Sequence, residues 1–398
     1  MVQVKYNSDF IVEAQSATQY AEVTWDQVRA YATDVANIDV TSNTFNLHTV
    51  FKVTYTEDQV ESTTIRPVSR RIKVHLEGNT ICFTLASAQD VMLELDGSKW
   101  IALHLTKDID SNVPTGDTDD AWYFGPGVNQ GSAYAKITDG ANLMVPSNKT
   151  VYIFQIELVG VSNSAVRGQG FILSSKSGAN EFSLTMGECE NAAISGYRSF
   201  SSAADGDGIN IFCSSNIMID NCFLHSFYAI RMTPLPYIYI TGTNCALLPN
   251  IAHAVNMGTH GNLKKPEIMS NVIIRNIDIL DHDESQLWYQ GCIAINAVDM
   301  NSLHNISIED VRVERISRGE LFNIQVMKKM KYLSLNFHDS GVVNPSQLLG
   351  YDQTRRVENI TFKNLKIGGP FIHDNMEKPR WYMVSDCVPL MLINTLRE

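Results

Sequence analysis

The sequence predicts an all-β protein, a right-handed parallel β-helix with an N-terminal β-sandwich domain. Three observations support this prediction. A short strand pattern recurs along the C-terminal two-thirds of the chain, and β-rich runs separated by turn residues fill the first third. The length of 398 residues also exceeds the roughly 250–300 at which a single hydrophobic core stops growing, so two domains or an elongated repeat with an appendage are expected.

Residues 1–140 are predicted to form the β-sandwich. Apolar and polar residues alternate there in short runs bounded by turn residues, namely Val50-FKVTYT, Ile72-KVHLEG, Ile81-CFTLA and Val91-MLELDG. A β-helix leaves a sheet edge open at each end, and an uncovered edge invites aggregation. We therefore expect the sandwich to cap the first coil.

Residues 141–370 carry the repeat. Similar blocks begin at steps of 20 to 35 residues, at Asn163, Asn191, Asn216, Pro236, Asn271, Asn305, Lys331 and Asn359. Apolar residues alternate with polar ones in most blocks, which is strand periodicity with an Asn- or Asp-marked kink. The spacing leaves no room for a crossover helix in most coils, which disfavours a doubly wound α/β sheet. We expect strands to stack coil on coil, and residues 371–398 to close the far end.

Seven cysteines show neither a CxxC pair nor a Cys/His spacing typical of zinc, so no metal and no cofactor is expected. Cys189 and Cys213 are 24 residues apart, and Cys222 and Cys245 are 23 apart, close to one coil. Each pair could face across adjacent coils, either as two thiols in an apolar ladder or as a disulfide.

The composition also limits the partners. A formal net charge of −12 argues against nucleic acid, which requires clustered Lys and Arg, and favours a neutral or weakly cationic ligand. No run of about 18 apolar residues is present, so no membrane span is predicted. The first residues do not form a signal peptide, although a chain from which one had been removed would look the same. Sequons at Asn148, Asn305 and Asn359 would permit glycosylation, but an Asn-rich chain of this size has about that many by chance. The expected location is the secretory pathway or the extracellular space, with the signal peptide removed.

Several stretches resemble the glycoside hydrolase family of dextranase and isopullulanase, which joins a β-sandwich to a β-helix. They span roughly residues 65–370 and are Ile65-RPVS, Tyr123-FGPG, Asp207-GINIFCSSNIMIDNCF, His282-DE, Tyr289-QGCIAIN, Ile306-SIEDVRVERI, Gly319-ELFNIQV, Gly350-YD and Val357-ENITFKNLKI. The resemblance implies inverting hydrolysis by carboxyl groups on neighbouring coils, with acid and base about 6.5–9.5 Å apart.

The family's catalytic acids are only partly present. Asp207 matches the first aspartate of the family pattern, but Phe227, Tyr228 and Ala229 stand where a pair of adjacent aspartates would follow. An aromatic ring can neither donate the acidic proton nor act as the base. The sequence therefore argues against hydrolysis by the family mechanism.

Other side chains could serve in the same cleft. The loop Asp281-His-Asp-Glu284 offers relocated acids or, equally, a solvated acidic surface, and His253, His260 and Arg231 are either ligand contacts or structural residues. The aromatic residues Phe227, Tyr228, Trp288 and Tyr289 make the predicted cleft suited to a flat, more apolar molecule.

Three functions remain open from the sequence. They are an α-glucan hydrolase with relocated acids, a non-catalytic glycan-binding protein, and an enzyme whose chemistry needs no acid/base pair. The third is favoured because the chain resembles the fungal hetero-Diels–Alderases of tropolone–sesquiterpenoid pathways, which are similar to an acid-stripped hydrolase on a β-helix. The expected ligand is then a small apolar or aromatic molecule, with a neutral glucan as the alternative.

This reading assigns roles to two sets of side chains. Hydrogen-bond donors to a ligand carbonyl are expected at Tyr228, Arg231, His253 and His282. The ligand-binding positions are expected at Asp207, Phe227, His260, Asp283, Trp288 and Tyr289.

Overall fold

A computed structural model gives the architecture of the chain. It describes residues 9–16, 25–28, 30–32, 38–43, 48–87, 89–107, 121–123, 127–130, 134–137, 142–145, 149–153, 155–168, 171–174, 183–201, 207–226, 228–233, 240–249, 252–259, 261–262, 264–284, 291–326, 346–349, 356–371, 382–384 and 393–396. Helical structure in this part of the chain is limited to one 3-10 turn, Val68–Arg70, and no helix there has the length and apolar character of a membrane span.

Two five-stranded sheets form the N-terminal sandwich. The first contains, in spatial order, β2 (Asp26–Val28), β1 (Phe10–Ser16), β5 (Thr49–Tyr55), β8 (Thr80–Leu85) and β7 (Val74–Glu77). The second contains β3 (Ala30–Ala32), β4 (Ile38–Asn43), β10 (Ser98–Lys107), β9 (Val91–Leu95) and β6 (Thr63–Arg66). In β5 buried and half-buried positions alternate, and its buried residues Phe51 and Val53 join one apolar cluster with Leu93 and Leu103 of the other sheet.

The remaining strands stack in parallel rows. A 17-stranded sheet holds two of the rows and consists of β11 (Ala121–Tyr123), β12 (Gly127–Gln130), β14 (Asn142–Val145), β15 (Lys149–Ile153), β17 (Ala165–Gly168), β18 (Phe171–Ser174), β20 (Glu190–Ser195), β21 (Arg198–Ser201), β23 (Ser215–Asp220), β24 (Phe223–Ser226), β26 (Ile240–Thr243), β27 (Ala246–Pro249), β29 (Glu267–Ile279), β32 (Asn301–Val313), β36 (Val357–Lys363), β37 (Lys366–Ile367) and β39 (Ile393–Leu396). The two rows are bridged by the long strands β29 and β32, which pair along their length.

A ten-stranded parallel sheet forms the third row, which we call the site sheet. Its strands are β13 (Tyr134–Ile137), β16 (Gln155–Val159), β19 (Leu184–Gly187), β22 (Asp207–Phe212), β25 (Tyr228–Thr233), β28 (Val255–Met257), β31 (Gly291–Ala297), β34 (Glu320–Val326), β35 (Ser346–Leu349) and β38 (Tyr382–Val384). A short parallel pair, β30 (His282–Asp283) and β33 (Ile316–Arg318), lies between two coils. The parallel β-helix predicted from the repeat is therefore present.

Asparagines mark the corners between rows, as the kinked repeat predicted. Asn271, Asn305 and Asn359 all have φ between 55° and 59°, a left-handed conformation that Asn tolerates better than most residues. Their side chains bond coil to coil, since Asn359 Nδ2 donates to Asn305 Oδ1 at 2.9 Å and Asn305 Nδ2 donates to Asn271 Oδ1 at 3.3 Å. The ladder satisfies polar groups at each corner and fixes the register of the strands that follow.

The sandwich lies along the side of the coils. Met92 and Ala102 of the second sandwich sheet belong to one buried apolar cluster with five residues of the coils. These are Phe200, Phe223, Ala246, Leu248 and Leu280. We expected a cap over the first coil, but the described sandwich residues cover successive coils instead, because that flank carries large apolar side chains. The coil strands also begin at Ala121, ahead of the boundary expected at residue 140.

The described cysteines are free thiols. Cys222 and Cys245 occupy equivalent positions on adjacent coils, because Phe223 pairs with Ala246, and both lie in the apolar core. The Cys189 backbone N–H donates to Ser214 Oγ at 3.1 Å, so Ser214 and not Cys213 is its neighbour on the next coil. For Cys222 and Cys245 the structure therefore contains the thiol ladder, whereas the predicted pairing of Cys189 with Cys213 is wrong.

Candidate functional site

A row of buried amide side chains lies on the site sheet and defines the candidate site. In each of four strands an asparagine stands between two core aliphatic or aromatic residues, in Ile209-Asn-Ile, Val255-Asn-Met, Ile295-Asn-Ala and Phe322-Asn-Ile. Alternation along a strand places these asparagines on the face opposite the core. They are nevertheless at most 8% exposed: Asn210, Asn256, Asn296 and Asn323, joined by Gln325. We call this set the amide face.

Asp207, the counterpart of the family aspartate, begins β22 beside the amide face and is fully buried. Its Oδ2 accepts a hydrogen bond of 3.2 Å from Arg231 Nη1 on the next coil. The Arg231 side chain is 17% exposed whereas that of Asp207 is 0% exposed, so the guanidinium is the accessible member of the pair. The structure thus brings these two predicted residues together, with the carboxylate orienting the cation.

His253 lies two coils beyond Asp207 in the same row of the sheet and is fully buried. Burial, together with the nearby His282 and Arg231, lowers the pKa of His253 to about 3, so the ring is neutral at physiological pH. Its Nδ1 bonds to the carbonyl oxygen of Gly291, which can only accept. The proton therefore sits on Nδ1, and Nε2 is an acceptor. The donor role expected for His253 is not available in this tautomer.

His282 and the neighbouring acids lie at the contact with the sandwich. Asp281 accepts hydrogen bonds from Arg315 Nε at 3.1 Å and from Ser317 Oγ at 2.9 Å, and it lies 3.5 Å from the buried Lys99 of β10. Arg318 Nε donates to Asp283 at 2.5 Å, and this cation together with Lys99 lowers the pKa of Asp283 despite partial burial.

Two of the candidate acids in this loop, Asp281 and Asp283, are engaged in ion pairs. Asp281 and Asp283 bind cations that join the sandwich to the coils, and Glu284 is 5% exposed with its backbone N–H donating to the Arg318 carbonyl at 3.3 Å. His282 is fully buried between them. Relocation of a hydrolytic pair to Asp281 and Asp283 would require both carboxylates to give up these ion pairs.

Glu320 is a site residue that the sequence reasoning did not single out. It begins β34, pairs in register with Gly291, and is fully buried. Its Oε1 accepts a 2.7 Å hydrogen bond from Asn323 Nδ2. None of the described cations pairs with Glu320, and burial raises the pKa of Glu320 to about 8. The carboxyl is thus protonated at neutral pH. The recurring apolar-Asn-apolar triplets could have identified the face on which it lies.

The remaining predicted residues fall outside the described chain. Phe227, His260, Trp288 and Tyr289 are not among the described residues, and Tyr228 is described only through its backbone, which pairs with Asp207. Among the residues that are described, no group of three or more His, Cys, Asp and Glu side chains could hold a metal ion.

Comparison with solved structures gives a match over the whole chain. The dextranase Dex49A from Penicillium minioluteum superposes with a TM-score of 0.54, covering 99% of this chain and 96% of that one at 11% sequence identity. The fold is a β-sandwich joined to a right-handed parallel β-helix. This confirms the predicted fold and a scaffold like that of the glycoside hydrolases, and at such low identity the likeness shows the fold alone.

Two further solved structures are similar at a lower level. The catalytic domain of a GH87 α-1,3-glucanase has 9% identity over 96% of this chain and 98% of that one, with a TM-score of 0.31. The tailspike protein gp49 of Pseudomonas phage LKA1 has 13% identity over 79% of this chain and 58% of that one, with a TM-score of 0.22. No family model and no curated protein sequence matches the chain.

Proposed function

We propose that the protein is a non-hydrolytic enzyme that catalyses a hetero-Diels–Alder cycloaddition between an α,β-unsaturated carbonyl compound, such as a quinone methide, and an alkene. One observation carries the proposal. Asp207, the single counterpart of the hydrolase acids, is buried and bonded to Arg231, so the site holds an oriented hydrogen-bond donor where a hydrolase needs a proton-transfer pair.

The spacing of carboxyl groups along the site sheet supports this choice. Glu320 lies four strands from Asp207, which at about 4.8 Å per strand places the two carboxyl groups roughly 19 Å apart. Inverting hydrolysis needs about 6.5–9.5 Å, with a water between the acid and the base. Asp207 and Glu320 therefore do not form such a pair.

The cycloaddition needs orientation and polarisation but no proton transfer. The four-atom O=C–C=C unit and the alkene form one C–O and one C–C bond, three π bonds become one, and no atom or electron leaves the adduct. A donor at the carbonyl oxygen lowers the barrier by polarising the heterodiene, and a shaped cleft holds both partners in the reacting geometry. Arg231 is the donor in this proposal, held by Asp207, while the neutral amide face binds an uncharged ligand.

The predicted aromatic residues would hold the two reactants in the reacting geometry. Phe227, Trp288 and Tyr289 would stack on the diene and the alkene, with the Tyr228 hydroxyl and His282 as further donors. This assignment rests on their positions in the sequence next to Asp207, Arg231 and the amide face.

The test is a side-by-side assay of the two chemistries. An ortho-quinone methide generated in solution would be offered with a terpene alkene, and adduct formation followed by chiral chromatography. We expect a rate above that with serum albumin and one dominant stereoisomer. A racemic adduct at the albumin rate, together with reducing-sugar release from dextran that Asp207→Asn abolishes, would overturn the proposal.

A glucan hydrolase is the second candidate, favoured by two observations. Glu320 is protonated at neutral pH, as a general acid must be, and the structural match over the whole chain is to a dextranase. Reducing-sugar release lost in Glu320→Gln but retained in Asp207→Asn would support this candidate, and blank glycan arrays with no sugar release would exclude both it and glycan binding.

A further inference from the structure

A cavity of about 650 Å³ opens where the sandwich meets the 17-stranded sheet, away from the site sheet. Its walls come from the 3-10 turn after β6 and from the ends of β29, β32 and β37. Five basic side chains and two carboxylates line it: Arg66, Arg70, Arg71, Arg312, Lys366, Asp278 and Glu314. A concentration of cations is unexpected in a chain with a net charge of −12.

Both carboxylates in the lining are already neutralised. Arg312 Nε donates to Asp278 Oδ1 at 2.5 Å, and Arg66 Nη1 donates to Glu314 Oε2 at 2.6 Å. Arg66 is further held by two hydrogen bonds to Glu94 in the sandwich, at 2.9 and 3.0 Å. Neighbouring carboxylates therefore balance the charges of Arg66 and Arg312, and these two side chains form part of the cavity wall.

Three cations remain without a balancing carboxylate. Arg70 and Arg71 are exposed and Lys366 is half-buried, and in the described part of the chain no carboxylate lies within ion-pair distance of them. Lys366 Nζ lies 4.2 Å above the ring of Phe371, which places its charge without neutralising it. The cavity thus has an excess of three positive charges.

The loop that carries Arg70 and Arg71 is fixed before any ligand arrives. The Val68 backbone N–H donates to Glu314 Oε1 at 2.5 Å, and Arg71, at φ 54°, closes the 3-10 turn by donating its N–H to the Val68 carbonyl at 3.0 Å. The guanidinium groups therefore project from a turn anchored to the β-helix. Preorganised donors lose less entropy when they bind an anion.

We propose that this cavity binds a small organic anion carrying phosphate or carboxylate groups, bridging the sandwich and the β-helix. Arg forms paired hydrogen bonds with both kinds of oxyanion, and Lys366 contributes a point charge from the opposite wall. The volume suits a small organic molecule rather than a bare ion. Exposed Val68 in the lining provides apolar contact for its carbon skeleton.

Calorimetric titration with pyrophosphate and with citrate, at constant ionic strength against sodium chloride, tests the proposal. We expect saturable binding of at least one probe, weakened about tenfold or more in Arg70→Gln/Arg71→Asn and in Lys366→Gln. Asn suits the left-handed backbone at residue 71, so the variant should fold. Binding of pyrophosphate but not citrate would identify a phosphorylated ligand, and binding of citrate but not pyrophosphate would identify a polycarboxylate.

The matched control removes two charges elsewhere. Arg275 and Lys265 are exposed and lie outside the cavity lining, so Arg275→Gln/Lys265→Gln should bind the probe as the wild type does. Equal weakening in control and cavity variants would show a general charge effect and overturn the proposal. Absence of binding by both probes would overturn it as well.

Discussion

Arg198, which is fully buried in a coil, pairs with Asp90 of the sandwich through two hydrogen bonds, Nε to Oδ1 at 2.7 Å and Nη2 to Oδ2 at 3.0 Å. Arg198 Nη1 also donates to the carbonyl oxygens of Gly168 and Gly196, at 3.2 and 2.6 Å. One side chain thus joins two coils to the sandwich.

Asp90→Ala is expected to destabilise the protein by about 3–5 kcal/mol, because it leaves the buried Arg198 charge without a counterion. Urea unfolding measures the loss. Asp90→Ala combined with Arg198→Met should recover much of it, since neither charge is then buried alone. Glu309→Gln, which breaks a pair with the exposed Arg275, is the control and should cost at most about 1 kcal/mol. If Asp90→Ala lost less unfolding free energy than the Glu309→Gln control, the buried ion pair would not have the proposed role.

Acid should weaken the contact between the sandwich and the coils through His104. This histidine is buried between Phe200, Phe223 and His225, with ring centroids 4.7, 5.1 and 5.6 Å away, and burial followed by repulsion from His225 lowers the pKa of His104 well below its usual range. The unfolded chain gains a proton below about pH 6.5 that the folded state does not accept, so stability falls as pH falls.

The measurement is unfolding free energy between pH 7.5 and 5. Relative to the wild type, His104→Phe should lose less stability on acidification, by up to about 1.4 kcal/mol per pH unit. Parallel curves for the two proteins would show that His104 does not contribute.

Glu320 should give the opposite pH dependence. Its folded pKa of about 8 lies above an unfolded value of about 4.3, so its contribution is fully present below pH 4.3 and is lost as pH rises through 8. Glu320→Gln keeps an oxygen for the Asn323 amide and cannot ionise. At pH 8 the variant should be more stable than the wild type, by on the order of 2–4 kcal/mol, and the difference should shrink at pH 5. A variant less stable than the wild type at pH 8 would contradict this.

The corner asparagines should contribute through both backbone and side chain. Asn305→Ala forces alanine into φ 55° and removes two ladder hydrogen bonds, so a loss of about 1–3 kcal/mol is expected. Glycine adopts this φ without strain, so Asn305→Gly loses only the hydrogen bonds and should reduce the unfolding free energy by less than Asn305→Ala does. Chemical denaturation compares the two, and equal losses would mean that the φ angle is unimportant.

Arg231 should be the residue most sensitive to substitution in the proposed cycloaddition. Arg231→Met removes the donor and is expected to lower turnover by about 10²–10³. Asp207→Asn leaves the guanidinium in place but loosens it, which should give a smaller loss. The reverse order, measured as kcat with saturating partners, would assign the chemistry to the carboxylate instead.

The sequence by itself determined the β-helix, and its register where asparagines mark the corners. The predicted block at Pro236 is three residues out of register, because Ile217 pairs with Ile240. The strand after Asn305 pairs directly with the strand after Asn359, whereas the sequence predicts a block between them at Lys331, outside the described residues. Alternating residues and corner asparagines act locally, since each Asn at positive φ turns the chain and bonds to the next coil, so the strands near Asn271, Asn305 and Asn359 could be predicted. The sequence also singled out Asp207 and Arg231 as candidates, and the structure joins them by a hydrogen bond, while their role stays a prediction.

Only the tertiary structure decided which charges are neutralised and where the sandwich lies. Arg198 pairs with Asp90 over 108 positions, and Arg66 with Glu314 over 248, distances at which no sequence period operates. Pairing of the same kind ties Asp281 to Arg315 and Asp283 to Arg318. The pairs of Arg66 with Glu314 and of Arg312 with Asp278 leave Arg70 and Arg71 without a balancing carboxylate among the described residues. Burial likewise decided that Glu320 is protonated, because a pKa depends on solvent exclusion and nearby charges, which exist only once the coils and the sandwich have packed.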